Sequence, residues 1–248
     1  MFMRSFLRVG LMLCGLAPFS GLAAEPQAGI EAAEVSLSAS LEQNPKSVPL
    51  HSRRGDVRLF LGRFAEAVKD FERMIELDPQ QDAPHWRLGI AYYFAGEFEK
   101  SARQFAKYHS YDGRDRENGI WKFMAQFRAE DAGSARAHML EYPASDRAPF
   151  VELYEMFAGK RSAENVVGQY GPKSEGTPRM VQFFALYYAG VYTALTGDPG
   201  AGLKWVKEAV ALFTPDNAAE SGAPGYMWQV ARVHAGLLEA EMGRAKPR

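Results

Sequence analysis

The residues of this chain that could do chemistry are few and scattered. The five histidines are His51, His85, His109, His138 and His234, and no two stand at a spacing that would place both on one metal ion. The one cysteine, Cys14, excludes a disulfide within the chain and a zinc site of the multi-cysteine kind. The densest charge run is Asp112-Gly-Arg-Asp115-Arg-Glu117-Asn118. A calcium loop needs oxygen ligands at alternating positions, and here arginines intervene. A helix N-cap suits the run better: Asp115 would accept from free amides of the first turn, and Glu117 would sit near the positive end of the helix. His109, Asp115, Glu117, Tyr154 and Glu155 are the candidates for a small-ligand site or an enzyme centred on the irregular stretch 144–176. No set of nucleophile, acid and base accompanies them.

The patterns H-E-x-x-H, G-x-S-x-G and G-x-x-x-x-G-K-[ST] do not occur. Gly197-x2-Gly200-x-Gly202 has the glycine content of a dinucleotide loop, but the order is wrong and no strand precedes it; a turn between helices accounts for it. The expectation is a binding protein without metal or cofactor, and not an enzyme. The 248 residues are 47% hydrophobic and 24% charged, with a formal charge of −1, as in an ordinary soluble fold. No basic face clusters as nucleic-acid binding requires.

The elements that would position these residues centre on the stretch from Asp82 to Asp112. Leu88, Gly89 and Tyr92 share one helix face. A glycine inside a helix costs up to about 1 kcal/mol relative to alanine, so Gly89 implies a partner helix too close to admit a Cβ. Ala95-Gly96-Glu97 breaks the periodicity, and a second apolar face follows at Phe98, Ala102, Phe105 and Tyr108. The preceding stretch repeats the design with Gly55, Gly62, Ala67-x3-Phe71 and Pro79. Gly55 to Gly89, Gly62 to Gly96 and Phe71 to Phe105 are each 34 residues. Arg54 and Arg58 take apolar places in that first helix, which predicts one wet face.

These residues resemble the tetratricopeptide repeat (TPR), with its pattern W-x2-L-G-x2-Y, A-x3-F and P. His85-x2-Leu88-Gly89-x2-Tyr92 fits with His85 at the tryptophan place and Trp86 one further on; Ser101-x3-Phe105 fits the small-then-aromatic pair; Gly113 stands where the family has proline. The resemblance implies an all-α, TPR-type helical-repeat solenoid (an α-α superhelix) and a protein or peptide partner. In that family the first helices line a concave groove. The corresponding places hold Ala83, Trp86, Ile90, Tyr93 and Phe94 in the central unit, and Phe184, Tyr187, Val191, Ala194 and Leu195 in the unit from 183 to 216. Trp86, Ile90, Tyr93, Phe94 and Tyr187 are therefore the expected partner-binding residues. The Lys, Arg and Asn set of carboxylate-clamping TPR grooves is absent. Two occupants are open: the chain's own leader or final helix, or an apolar or aromatic peptide or helix from a partner.

In chain order, 1–24 reads as a secretory signal peptide, with Arg4 and Arg8 ahead of an apolar run, Val9 to Ala17, too short to span a bilayer. Its removal would leave 27 basic against 30 acidic residues. Leu11-Met12-Leu13-Cys14 resembles the lipobox of bacterial lipoproteins, but Leu13 is bulky and apolar residues follow Cys14. The reading is a soluble exported protein, with no lipid anchor at Cys14 and no transmembrane span after signal removal. Residues 25–49 form a leader whose helix, Ile30 to Gln43, caps the array. Residues 50–142 hold two clear repeats and a degenerate third, in which Trp121-x2-Met124-Ala125 imitates the core motif and a short helix runs from Ser134 to Tyr142. Residues 143–178 are irregular, with brief helices at 150–157 and 163–170, and read as a worn repeat rather than a hinge. Residues 179–242 hold a C-terminal TPR-like repeat, a loop from Asp216 to Gly225 and a capping helix apolar at Trp228, Ala231, Ala235 and Leu238; 243–248 is a basic tail. What the resemblance implies for an exported bacterial protein is a periplasmic adaptor or assembly factor of the cell envelope.

Overall fold

The computed structural model describes residues 24–143, 145–213 and 225–245. Among them are twelve α-helices and no strand. The signal-peptide and lipobox readings fall outside the described residues except for Ala24, as do the loop expected from Asp216 to Gly225, except for Gly225, which begins a helix, and the last three residues of the tail.

The helices follow one another as antiparallel pairs. α2 (Val48–Phe60) pairs with α3 (Phe64–Leu77), α4 (Trp86–Phe94) with α5 (Phe98–Tyr111), and α6 (Arg116–Ala129) with the short α7 (Ala132–Ala137). Next come α8 (Phe150–Phe157) and α9 (Ala163–Tyr170), then α10 (Arg179–Thr196) with α11 (Pro199–Ala211). α8 packs on both α6 and α10, so the stack is continuous through the irregular stretch. α1 (Ala24–Gln43) flanks the first pair, and α12 (Gly225–Ala245) follows the last, reaching three residues into the expected tail. No helix among the described residues is long and apolar enough to cross a membrane.

The 34-residue offset has a visible cause in each turn. Gly62 (φ 74°) and Gly96 (φ 79°) both take the left-handed region, where a side chain is strained. Each closes its helix in the same way: Arg63 N donates to Arg58 O at 2.8 Å, and Glu97 N to Tyr92 O at 2.9 Å. The helix glycines serve close approach. A Cβ on Gly55 would lie 2.5 Å from the Phe71 ring, and one on Gly89 would lie 2.7 Å from the Phe105 ring. The intruder is thus an aromatic ring of the second helix, itself fully buried. At Gly190 the neighbour is backbone: a Cβ there would lie 2.7 Å from the Gly202 carbonyl oxygen. Ser101 fills the small place of its motif because its hydroxyl donates to Gly89 O at 2.8 Å, which an alanine could not do. Gly89→Val is expected to cost about 1–3 kcal/mol through overpacking, read as a lowered denaturation midpoint. A wild-type midpoint would remove the argument from close approach.

Two expectations are corrected. The face of α2 that carries Arg54 and Arg58 is not wet. α1 lies over it, and the buried Asp70 carboxylate accepts from Arg54 Nε and Nη2 at 2.9 and 2.7 Å and from Arg58 Nη1 at 2.8 Å, with His51 Nδ1 at 3.1 Å. Arg58 Nε and Arg63 Nη1 reach Glu34 of α1 at 2.9 and 2.5 Å. The helix expected from Ser134 to Tyr142 is instead Ala132–Ala137. Asp131 caps it earlier, accepting from Ser134 N at 2.8 Å, and Lys122 Nζ holds the His138 carbonyl at 2.6 Å beyond its end. The freed chain turns Tyr142 back over Gly119 of α6, where a Cβ would sit 2.6 Å from the Tyr142 hydroxyl.

Candidate functional site

The first helices of the pairs line one face of the stack, and α12 lies along it. Tyr226 packs edge-on against Phe60 of α2 (ring centroids 5.0 Å) and Trp86 of α4 (4.8 Å). One end of the helix is pinned to the last pair by Trp228 Nε1, which donates to the Val210 carbonyl at 3.0 Å, and Lys207 pairs with Glu239. Midway, the His234 ring meets Tyr93 (6.0 Å), Phe94 (5.3 Å) and Tyr187 (6.0 Å), and its Nδ1 stands 3.1 Å from the Tyr187 hydroxyl. Further on, Glu241 pairs with Arg128 of α6 at 3.7 Å. Of the two occupants left open by the sequence, the described residues place the chain's own final helix in the groove.

The expected partner-binding residues distribute as follows. Trp86, Tyr93, Phe94 and Tyr187 converge on α12, Trp86 half-buried and Tyr93 and Tyr187 buried. Ile90 is fully buried in the core. His234 was absent from the sequence expectation although its signal was legible: Ala231, His234 and Leu238 stand at helical spacing on the apolar side of α12.

Polar groups along this contact are buried (His234) or half-buried (Asp56 and Tyr226), and their acidities shift accordingly. Burial, and then the charge of Arg128, lower the His234 imidazole to about 3. Burial raises the Asp56 carboxyl to about 6, against the pull of Arg87, whose Nη1 lies 2.5 Å away. Burial and the neighbouring Asp56 raise the Tyr226 phenol. A buried neutral imidazole stabilises the fold fully above its ordinary value of 6.5, and that contribution is lost as pH falls toward 3, because the unfolded chain takes a proton that the folded one refuses. The slope is up to about 1.4 kcal/mol per pH unit. Asp56, raised from 3.8, acts in the opposite sense, its contribution being lost as pH rises toward 6. The imidazole is isolated by the difference between wild type and His234→Gln: the excess stability of wild type should shrink between pH 6.5 and pH 5, measured by urea denaturation. A constant difference would contradict the burial of a neutral ring.

A second cluster gathers at the start of α6. Asp115 caps the helix as expected, accepting from Glu117 N at 3.1 Å. Glu117 accepts from the Tyr188 hydroxyl at 2.6 Å and from Arg147 Nη2 at 2.9 Å. Burial, and then the charge of Asp115, push the Glu117 carboxyl up to about 7. The His109 ring packs on Tyr142 (4.9 Å), which packs on Tyr154 (5.1 Å). Four of the five residues named for a small-ligand site thus lie in one neighbourhood, whereas Glu155 pairs with Arg161 at 2.9 Å. Arg147 and Tyr188, which complete the cluster, stand too far along the chain for any spacing rule to join them. Among the described residues no group of His, Cys, Asp and Glu could hold a metal ion.

Stacked helix pairs around a lined groove, the first two sharing a 34-residue offset, define an all-α helical-repeat protein of the TPR type. The tetratricopeptide repeat family model matches residues 48–81, which are α2, α3 and the turn after them. The chain is 30% identical over 96 residues to an Hsp70-Hsp90 organizing protein of Triticum aestivum, a match covering 38% of this chain and 16% of that one. It is 27% identical over 97 residues to a protein SGT1 homolog of Bos taurus, covering 39% of this chain and 28% of that one. The matches therefore span less than a third of either relative. The chain carries a tetratricopeptide repeat within a TPR-like solenoid.

Proposed function

We propose that the chain is a non-catalytic protein–protein interaction scaffold, exported to the bacterial periplasm, where it acts as an adaptor or assembly factor of the cell envelope. Its partner is a protein or peptide presenting an apolar or aromatic helix, bound through Trp86, Tyr93, Phe94 and Tyr187 in place of α12, with Ile90 packed in the core behind them. The observation that supports this reading is α12 itself: its seating on Phe60, Trp86, Tyr93, Phe94 and Tyr187 gives the groove the dimensions and lining of a helix receptor. The name of the Triticum aestivum relative, an organiser of Hsp70 and Hsp90, fits a scaffold.

Trp86→Ala is expected to weaken partner binding by about 1.5–3 kcal/mol, with a smaller loss of stability because the side chain is only half-buried. The partner is first recovered by affinity purification of the tagged chain from an envelope fraction, and the purified pair is then titrated by calorimetry. Several degrees lost in melting temperature with unchanged affinity would reject the reading. Export is tested separately by intact mass: a periplasmic form beginning at Ala24 or Glu25 is expected, and a cytosolic form retaining Met1 would refute it. The second reading, a small-ligand-binding protein or enzyme with its site around 144–176, is favoured by one observation, the convergence of His109, Asp115, Glu117 and Tyr154.

A further inference from the structure

Between the start of α4, α5, the start of α6 and the start of α12 lies a partly enclosed cavity of about 210 Å³. Three aromatic residues line it, Trp86, Phe105 and Trp121, with Phe105 stacked on Trp121 at 6.0 Å and 17°, and Asn118 and Met227 stand beside them. Two carboxylates, Asp115 and Glu117, line it as well. Their charge is incompletely matched. Arg147 is shared among Asp115 (3.5 Å), Glu117 (2.9 Å) and Asp146 (3.3 Å), and Arg116 lies 4.0 Å from Asp146. Three carboxylates thus face two guanidiniums, in a place where Glu117 keeps only 13% of its side-chain exposure. Buried charge without a counter-charge is costly; burial first and the Asp115 charge second raise the Glu117 carboxyl to about 7, so near neutral pH a proton shares the place that a bound cation would take.

We propose that this cavity binds a compact organic cation with an ammonium head, either a small free amine or the end of a lysine side chain. Aromatic walls attract an ammonium through the ring quadrupole, and the carboxylates supply the missing charge balance. An anion would add to the excess, and a neutral apolar group would leave it unmatched. At about 30 Å³ for each water-sized unit, the space suits roughly seven heavy atoms, the scale of choline or an aminobutyl group. The site needs no movement of α12, so its failure would leave the partner-groove reading intact.

The test is a titration of the full chain, followed by tryptophan fluorescence, with choline, with N-acetyl-lysine methylamide and with 3,3-dimethylbutan-1-ol, the neutral isostere of choline. Saturable binding of at least one cation, and at least tenfold weaker binding of the isostere, is expected. Tighter binding of choline identifies a free quaternary amine as the source, and tighter binding of the lysine derivative a peptide side chain. Glu117→Gln and Asp115→Asn are each expected to weaken the cation by about tenfold. Asparagine caps a helix as well as aspartate does, so Asp115→Asn keeps the fold even if Glu117→Gln does not. Binding of the isostere as tight as that of the cations, no saturation by either cation, or an unchanged affinity in Asp115→Asn would each overturn the proposal.

Discussion

Replacing Trp121 with alanine is expected to lower stability by about 3–5 kcal/mol. The side chain is 2% exposed and sits where three helices meet. Its ring touches Tyr93 (5.4 Å) and Phe94 (6.0 Å) of α4 and Phe105 (6.0 Å) of α5. Its Nε1 donates to the Tyr188 hydroxyl of α10 at 3.0 Å, and that hydroxyl donates onward to Glu117. Truncation would open a void among rings that cannot collapse into it, and would remove the donor from a buried hydroxyl. Trp121→Phe separates the two effects: it keeps most of the packing and should lose only about 1 kcal/mol for the hydrogen bond. Urea denaturation of both variants is the measurement. Equal losses would mean that packing is not what Trp121 contributes.

The second large effect is expected at Asp70, where replacement by alanine should cost about 3–5 kcal/mol, the usual range for breaking a buried pair. The carboxylate is 2% exposed and accepts from two arginines at once. Removing it leaves the Arg54 and Arg58 guanidiniums under α1, each only 17% exposed, with Glu34 as the remaining counter-charge beside Arg58. The loss comes from these stranded cations more than from the net strength of the pairs. A double-mutant cycle with Arg54→Ala checks this. Coupling above about 1 kcal/mol is expected for residues that share one network, and additive losses would exclude it.

The parts of this molecule that the sequence made legible are those in which each residue answers to a neighbour close by. Gly89 answers to Phe105, and Gly55 to Phe71, one hairpin away. Leucine, glycine and aromatic spacings therefore reveal the hairpins and the all-α repeat fold. The misread places are those whose cover lies elsewhere. Asp70 is as near to Arg54 along the chain as Phe71 is to Gly55, but the ion pair is buried because α1 lies over it, and the Glu34 that α1 brings stands 24 residues from Arg58. The cap at Asp115 was visible because its acceptor role is local, but Arg147, which holds the same carboxylate, arrives from a loop after α7. The groove residues were recognisable as a surface seeking a cover. What covers them could not be told from composition, since an apolar stripe on α12 is equally compatible with solitary capping and with seating across the array.

A row of hairpins is close to one-dimensional: each unit feels only the next, so such rows fray from their ends and stretch like a spring. α12 alters that behaviour. The Tyr226–Phe60 contact joins residues 166 positions apart and ties the last pair to the first. The tie acts as a cross-brace that fixes the pitch of the coil and makes loosening at one terminus felt at the other. It also delays completion of the fold until α12 has left the ribosome, so newly made chains pass through a stage at which the aromatic face is formed and its brace is not yet in place.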